Sequence, residues 1–372
     1  MKTLKTLIVA TISLLSLPAI AGYGTVSEGW GFVQDDWQVV CDNTRTCRAA
    51  GYAIEALIDE PASILFTALP KVALPKAQIQ FISKASKDKA ELWLNNKNYG
   101  VLQANKEDSL LYDLSAKQTQ ALVDHARIAT KIAIRAGDNY WQISDKGMSA
   151  VLLKLDDVQG RVGTPIALVS KNHPNRQLPK AALPKPIIQK AFAYSAKDNK
   201  TLAPSKLAYF QKNIDNWVDI NAEQLIGSKD VMGDCELINP KTETYQRMSE
   251  YGSTMLDWDF IPVDDSYMLA THTCWLGAYN FSNGYWLIDN AKPSKPMLIT
   301  TAGNDYFDGE ISATHKDRGI GDCWNRTAWI WNGKTFAKSE ESSTGMCRGF
   351  AGGAWDLPTY VSQVIRNDAK AQ

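Results

Sequence analysis

The sequence predicts an α+β protein in two parts: a mixed N-terminal domain, then a β-rich, mainly antiparallel C-terminal domain with local disulfides. Three observations carry this. Two segments of helical period lie among alternating runs before residue 172, whereas alternating runs broken by turn residues dominate after residue 187. The six cysteines fall into sequence-local pairs. Eight of the twelve tryptophans (Trp217, Trp258, Trp275, Trp286, Trp324, Trp329, Trp331 and Trp355) lie after residue 200.

Residues 1–21 read as a secretory signal. Lys2 and Lys5 precede the apolar run Leu7 to Leu17, and Ala19-Ile20-Ala21 is a small-residue cleavage site, so cleavage is expected after Ala21. The apolar run is too short for a stable membrane span, and no later run is long enough. Removing Lys2 and Lys5 from the 40 basic residues leaves 38 against 40 acidic ones. Such a balance offers no excess of positive charge for nucleic acid or anionic lipid.

Within residues 22–172, Trp37 to Cys41 and Cys47 to Ala53 read as a hairpin across the polar turn Asp42 to Thr46. Ile64 to Leu69 and Gln78 to Ser83 read as further strands. Glu91 to Asn95 and Val101 to Ala104 read as a hairpin turning at Asn98-Tyr99-Gly100. Ser115 is a helix N-cap for Ala116 to Ala126. Ile128, Thr130, Ile132 and Ile134 alternate as a strand, with Tyr140 to Ile143 as its partner. Met148, Val151, Leu152, Leu155 and Val158 recur at helical spacing, and Gly160 to Pro165 ends that helix. Residues 173–186 hold Pro174, Pro179, Pro184 and Pro186 without periodicity and read as an extended linker.

Within residues 187–372, Ser205 to Trp217 reads as a helix and Asp259 to Val263, Tyr267 to Gly277 and Met297 to Thr300 as strands. Ser282-Asn283-Gly284 reads as a turn leading into Tyr285 to Ile288. Thr327 to Trp331 presents Trp329 and Trp331 on one strand face. Asn332-Gly333 offers the positive backbone angles of a tight turn, and Lys334 to Lys338 returns. Asp356, Pro358 and the spacing of Tyr360, Val361, Val364 and Ile365 predict a terminal helix.

An even cysteine count behind a signal segment points to disulfides in an oxidising, periplasmic or secreted, location. Sequential pairing (Cys41–Cys47, Cys235–Cys274, Cys323–Cys347) keeps each bridge in one local unit. Mixed pairing among the last four is the alternative. Closing each of the two longer loops is worth about 3–4 kcal/mol in the chain-entropy account.

Four segments carry a family resemblance: Asp36-Trp37-x3-Cys41-Asp42-Asn43-Thr44-x2-Cys47-x3-Gly51-Tyr52, Gln159-Gly160-Arg161-Val162-Gly163-Thr164, Cys274-Trp275-x-Gly277-Ala278-Tyr279-Asn280, and Arg318-Gly319-Ile320-Gly321-Asp322-Cys323. Together they resemble the domain of unknown function 1176, a proteobacterial family of secreted six-cysteine proteins. The Trp-x3-Cys start is also similar to the invasion-associated locus B family. The first resemblance implies an envelope location and supplies no catalytic residue.

The residues themselves hold little reactive chemistry. Cys-x-x-Cys is absent, His272-Thr273-Cys274 is the sole close His/Cys pair, and no metal or cofactor is expected. Asn304 to Glu310 lacks the alternating acids of a calcium loop and reads as an Asp-Gly turn. Ser86 to Lys89 fits Ser-x-x-Lys by letter but lies in a charged run. Asp257, Asp259, Asp264 and Asp265 are the carboxylates that a glycan hydrolase would need, and edge-strand acids are the plainer reading. Aromatic surface carries the most functional content. Trp275, Tyr279, Tyr285, Trp324 and Arg348 are the candidate contact residues, for an envelope protein or glycan. Trp329 and Trp331 suit a core. The mature chain of the exported protein is expected to begin at Gly22, which N-terminal sequencing of the periplasmic or secreted fraction checks. A pool retaining Met1 in the cytoplasm contradicts the export signal.

Overall fold

The computed structural model describes residues 29–82, 89–219 and 235–366. The signal segment with its cleavage site, Ser83, and residues 86–88 of the Ser-x-x-Lys run lie outside the described residues. Among the described residues the strands assort into five sheets.

The first sheet has seven strands in the order β1-β2-β3-β4-β5-β9-β8. Its members are β1 (Trp30–Gln34), β2 (Trp37–Cys41), β3 (Cys47–Tyr52), β4 (Ala62–Ala68), β5 (Lys76–Phe81), β8 (Gln103–Ala104) and β9 (Leu111–Asp113). All five residues of β2 are buried. This explains why Val39-Val40 breaks alternation: a strand covered on both faces has no need of a polar face. One face packs on α2 (Met148–Val158) and on a four-stranded sheet, β11-β10-β6-β7, made of β6 (Glu91–Leu94), β7 (Lys97–Val101), β10 (Ile132–Ala136) and β11 (Asn139–Ile143). Trp37, Ile64, Phe66 and Ile79 meet Leu92, Ile132, Val151 and Leu155 there. Gly51 sits under the Trp37 ring, where a Cβ would lie 2.2 Å from ring carbon. The helix α1 (Ala116–His125) starts as expected, with Ser115 and Gln118 forming a reciprocal capping box.

The C-terminal part has α3 (Pro204–Trp217) packed on the sheet β13-β14-β15-β16, built from β13 (Asp259–Pro262), β14 (Tyr267–Leu276), β15 (Phe281–Asp289) and β16 (Met297–Gly303). Phe210 and Ile214 contact Met268, Ala270, Trp286 and Ile288. A fourth helix, α4 (Glu243–Glu250), follows Cys235. The five-stranded sheet β17-β18-β19-β20-β21 comprises β17 (Asp305–Phe307), β18 (Glu310–Lys316), β19 (Trp324–Trp331), β20 (Phe336–Ser343) and β21 (Leu357–Val361). Leu269, Tyr285 and Leu287 of one sheet pack against Ile311, Trp331 and Phe336 of the other. A parallel pair, β12 (Ile187–Lys190) with β22 (Gln363–Arg366), completes the set.

The segment between β20 and β21 crosses to the N-terminal part. Phe350, Ala354, Trp355 and Leu357 cover Val40, Ala50, Tyr52 and Leu65 on the second face of the seven-stranded sheet. Trp355 Nε1 donates to Ser63 Oγ at 2.7 Å, and Gln80 Nε2 donates to the Ala354 carbonyl. Arg348 pairs with Asp36 at 3.0 Å, and Asn43 brackets Val361 through bonds of 3.0 and 2.7 Å. The disulfides are Cys41–Cys47, Cys235–Cys274 and Cys323–Cys347.

Five sequence expectations differ from the fold. The chain after Trp331 turns through a four-residue loop, Asn332 to Thr335, in which Gly333 (φ 90°) but not Asn332 has a positive backbone angle, and it returns as β20 from Phe336 and not over Lys334 to Lys338. The β6–β7 hairpin turns at Asn95-Asn96 (φ 49° and 66°), not at Asn98-Tyr99-Gly100. Two consecutive left-handed residues match the twist of a two-residue hairpin, and asparagine tolerates that conformation. The strand expected from Ile128 begins at Ile132. Ser282-Asn283-Gly284 lies inside β15, and the turn is Gly277 to Asn280. Gly284 is needed for packing: a Cβ there would sit 2.3 Å from the Trp286 ring. The terminal helix is replaced by β21 and β22. Pro358 fits an edge strand, and the β-branched Thr359, Val361, Val364 and Ile365 suit extended chain once β20 and β12 offer partners.

Trp355→Ala removes a buried ring from the junction between the two parts. Its expected cost is about 3–5 kcal/mol, read from denaturant unfolding. An unchanged midpoint would show that the crossing segment does not stabilise the sheet beneath it.

Candidate functional site

Three of the five candidate contact residues gather at one end of the C-terminal sheets. β14 ends in Trp275-Leu276, the turn closes through the Gly277 N–H to the Asn280 carbonyl at 2.7 Å, and β15 opens at Phe281. Asn280 then locks this hairpin to the end of β18: its Nδ2 donates to the Lys316 carbonyl at 2.7 Å, and its Oδ1 accepts from Lys316 N at 3.0 Å. His315 Nε2 lies 3.1 Å from the Phe281 carbonyl, which can only accept, so that nitrogen carries the proton. The His315 ring lies 5.6 Å from that of Trp275. Lys316 Nζ sits 5.2 Å over Trp324, whose Nε1 donates to the Gly321 carbonyl at 2.9 Å. Tyr279 lies against Gly319.

The loop between β18 and β19 is held from beneath. Arg318 Nε donates to Asp322 Oδ1 at 3.0 Å, and a second guanidinium nitrogen pairs with Asp322 Oδ2 and reaches the Cys347 carbonyl at 3.1 Å. The Gly349 N–H donates to Asp322 Oδ2 at 2.8 Å. Burial pushes the Asp322 carboxyl up, but the Arg318 guanidinium and the Gly349 amide outweigh it and hold the group below the usual carboxylate range. The Cys323–Cys347 bridge ties the same loop to the crossing segment. On this framework Leu276, Tyr279, Phe281 and Ile320 stand 41, 49, 44 and 68 % exposed.

Two candidates do not belong here. Tyr285 is 3 % exposed in the core between the sheets, and burial pushes its hydroxyl up to about 12. It follows Gly284 within β15, so it faces inward once that strand runs through the expected turn. Arg348 lies beside Cys347, but its guanidinium is spent on Asp36 and fastens the crossing segment. Leu276, Phe281, Ile320 and His315 were missed. Placing the turn at Gly277 to Asn280 sets Leu276 and Phe281 opposite each other at the hairpin mouth, and Gly277 was the available signal.

A family model described as "Protein of unknown function (DUF1176)" matches residues 32–362. The chain belongs to that family. No curated protein matches it, and no solved structure does. Two of the four segments that carry the resemblance build local structure. Asp42 Oδ1 accepts from the Thr44 and Thr46 amides at 2.9 and 3.2 Å and so builds the first hairpin turn. Gln159 donates to the Arg45 and Ala68 carbonyls at 2.7 and 2.9 Å, and the buried Arg161 donates to that of Leu69 at 2.8 Å, tying the end of α2 to the first sheet. The other two motifs, around Cys274 and Cys323, supply the exposed hairpin and its supporting loop.

Asp322, Cys323 and Cys347 bring possible ligand atoms within 4.8 Å of one another, but both sulfurs are in the disulfide and the carboxylate is held by Arg318. His272 is buried with Nδ1 2.7 Å from the Thr273 carbonyl and Nε2 3.0 Å from that of Leu256, while Cys274 is bridged to Cys235. Asp259 is exposed at the start of the edge strand β13. Asp264 caps its own turn through the Ser266 and Tyr267 amides, both at 2.8 Å.

Because the folded Asp322 carboxyl titrates below its unfolded value of about 3.9, its contribution is complete above that pH and is lost as pH falls through the folded value. Asp322→Asn is expected to lower stability by about 1–3 kcal/mol at neutral pH. The gap from the parent should close on acidification below about pH 4, as followed by thermal unfolding. Parallel curves across that range would contradict this role.

Proposed function

We propose that this DUF1176 protein is a periplasmic or secreted binding module that engages a protein partner through the face formed by Leu276, Tyr279, Phe281 and Ile320. The location reading is supported by the signal segment and by three disulfides, which persist in oxidising compartments. One observation carries the binding reading: four exposed apolar side chains, from the β14–β15 hairpin and the loop it touches, stand on a framework locked by Asn280, Arg318 and a disulfide. Clustered apolar surface of this kind is what interfaces use, and a rigid framework spares the ordering entropy of binding. Leucine and isoleucine beside the aromatics favour the apolar side chains of a protein over a sugar, which needs a denser set of hydrogen-bonding groups.

The test uses the oxidised mature chain as bait, with envelope proteins and peptidoglycan as separate prey. A protein is expected to be retained by the parent chain and lost at least about tenfold by the double variant Tyr279→Ser, Ile320→Ser, as for contact residues worth about 2 kcal/mol. Equal retention by both chains would remove this face from the reading. Retention on peptidoglycan with release of soluble fragments would replace it with a glycan hydrolase.

A further inference from the structure

The stretch from Val158 to Lys197 holds seven Lys or Arg residues and no Asp or Glu, in a chain with 40 of each sign. The neutral total therefore conceals a local excess of positive charge. Arg161 is the buried member, and it donates to backbone carbonyls. Lys171, Arg176, Lys180 and Lys185 are exposed, and none of them forms an ion pair among the described residues.

Residues 173–183 lie as a strap along the end of α2 and the first hairpin turn. The Gln177 N–H donates to the Val162 carbonyl at 2.8 Å, the Lys180 N–H to that of Gln159 at 2.9 Å and the Leu183 N–H to that of Thr44 at 3.1 Å. Arg45 Nη1 donates to the Ala181 carbonyl at 2.9 Å. Two glycines of the segment Gln159 to Thr164 let the strap come this close. A Cβ on Gly160 (φ 68°) would lie 2.3 Å from the Leu178 carbonyl oxygen, and one on Gly163 (φ 72°) 2.7 Å from that of His173. Side chains of an extended strap alternate. Gln177 and Pro179 are half-buried, and Gln177 Nε2 donates to Asp157 at 2.8 Å. Arg176, Leu178 and Lys180 alternate with them and are exposed. Leu178, 86 % exposed between two cations, is the most exposed large apolar side chain among the described residues.

A recess of about 440 Å³ opens beside Arg176, between α2 and the strap, and Lys154, Asp157 and His173 also line it. His173 Nδ1 accepts from the Asn175 N–H at 3.2 Å, which leaves its Nε2 to donate outward. Asp157 is the one carboxylate of the lining, and Gln177 already holds it. The carbonyls at the end of α2 would repel an anion, but the Gly160 and Arg161 amides take up those of Asp157 and Asp156 at 3.0 and 2.7 Å. The recess and strap thus suit an anion, and Leu178 narrows the class. A free phosphate or carboxylate would leave that leucine in water. An anionic phospholipid surface supplies phosphates to the cations and an acyl boundary to the leucine. The stems of Arg176 and Lys180 can lie along that boundary while their charged ends stay among the headgroups.

We propose that the strap docks the protein on an anionic phospholipid surface, with Leu178 entering the interface and Arg176, Lys180 and the recess holding headgroup phosphates. The contact is peripheral: no helix among the described residues is long and apolar enough to cross a membrane. It uses different residues from the protein-contact face and stands or falls separately. The experiment is flotation of the oxidised mature chain with vesicles of phosphatidylcholine, alone or with about 30 % phosphatidylglycerol, at about 50 mM and about 500 mM salt. Binding is expected to the phosphatidylglycerol vesicles at low salt, to fall at least about tenfold at high salt, and to be absent with phosphatidylcholine alone. Arg176→Gln combined with Lys180→Gln is expected to weaken binding about tenfold or more. Leu178→Ser is expected to weaken it about fivefold or more. Both leave the thermal midpoint unchanged, because the side chains are exposed. Lys117→Gln combined with Lys212→Gln removes the same charge from exposed positions on α1 and α3 and is expected to keep binding within about twofold of the parent. The proposal is overturned if phosphatidylglycerol vesicles are not bound at low salt, if phosphatidylcholine binds equally, if the strap variants bind as the parent does, or if the control pair weakens binding as much as the strap pair. Retention of an acidic envelope protein by the strap, without vesicle binding, would equally replace it with a protein site.

Discussion

The rest of the structure depends on covering the second face of the seven-stranded sheet. β2, β3 and β4 are covered on both sides, and α2 with the second sheet can shield only one of them. The crossing segment shields the other, with Trp355 as the largest ring and Ser63 as its hydrogen-bond partner. Tyr52 shows how complete the cover is. Its hydroxyl accepts from Gln38 at 2.7 Å and from the Met346 amide at 3.4 Å, and burial drives its ionisation far above the ordinary range. The crossing segment is therefore both the lid of the N-terminal core and a connection between the sheets of the C-terminal part.

That connection reaches the exposed hairpin through a short series of contacts. Arg348 fixes the segment to Asp36, Cys347 bonds Cys323, and the Gly349 amide holds the Asp322 carboxylate that in turn orients Arg318. Arg318 also reaches Glu55, 3.5 Å away in the N-terminal part. The loop bearing Ile320 is thus braced by residues remote in sequence, and the hairpin bearing Tyr279 is braced by Asn280 on β18. Side chains presented this way lose little freedom on contact, which favours recognition by a fixed surface.

Much of the local structure was legible in the residues. The hairpin at Cys41–Cys47, the Ser115 cap, the helical period of Met148 to Val158 and the aromatic strand at Trp329 and Trp331 all depend on interactions a few residues long, and these elements formed as read. The misreadings have one character. Asn283-Gly284 and Asp356-Leu357-Pro358 carry strong local signals for a turn and a helix start, but a packing ring over Gly284 and an open strand edge at β20 overrode them. Among the contact candidates, Trp275 and Trp324 lie beside cysteines, and both come to the hairpin end next to His315 and Lys316 of β18. Tyr285 and Arg348 could not be sorted that way, because burial and ion pairing depend on what the other sheet places opposite.

By itself the sequence determined the α+β class and the family, because these reside in short spacings and in residue types, whereas the choice among disulfide pairings came from the structure. Only the tertiary structure decided which aromatics are surface and which are core. It alone showed that residues 344–357 close the N-terminal sheet. Those outcomes turn on contacts between chain segments up to about 300 residues apart, such as Asn43 with Val361 at a separation of 318. Side-chain burial there is set by the sum of all packed neighbours, which no local pattern encodes.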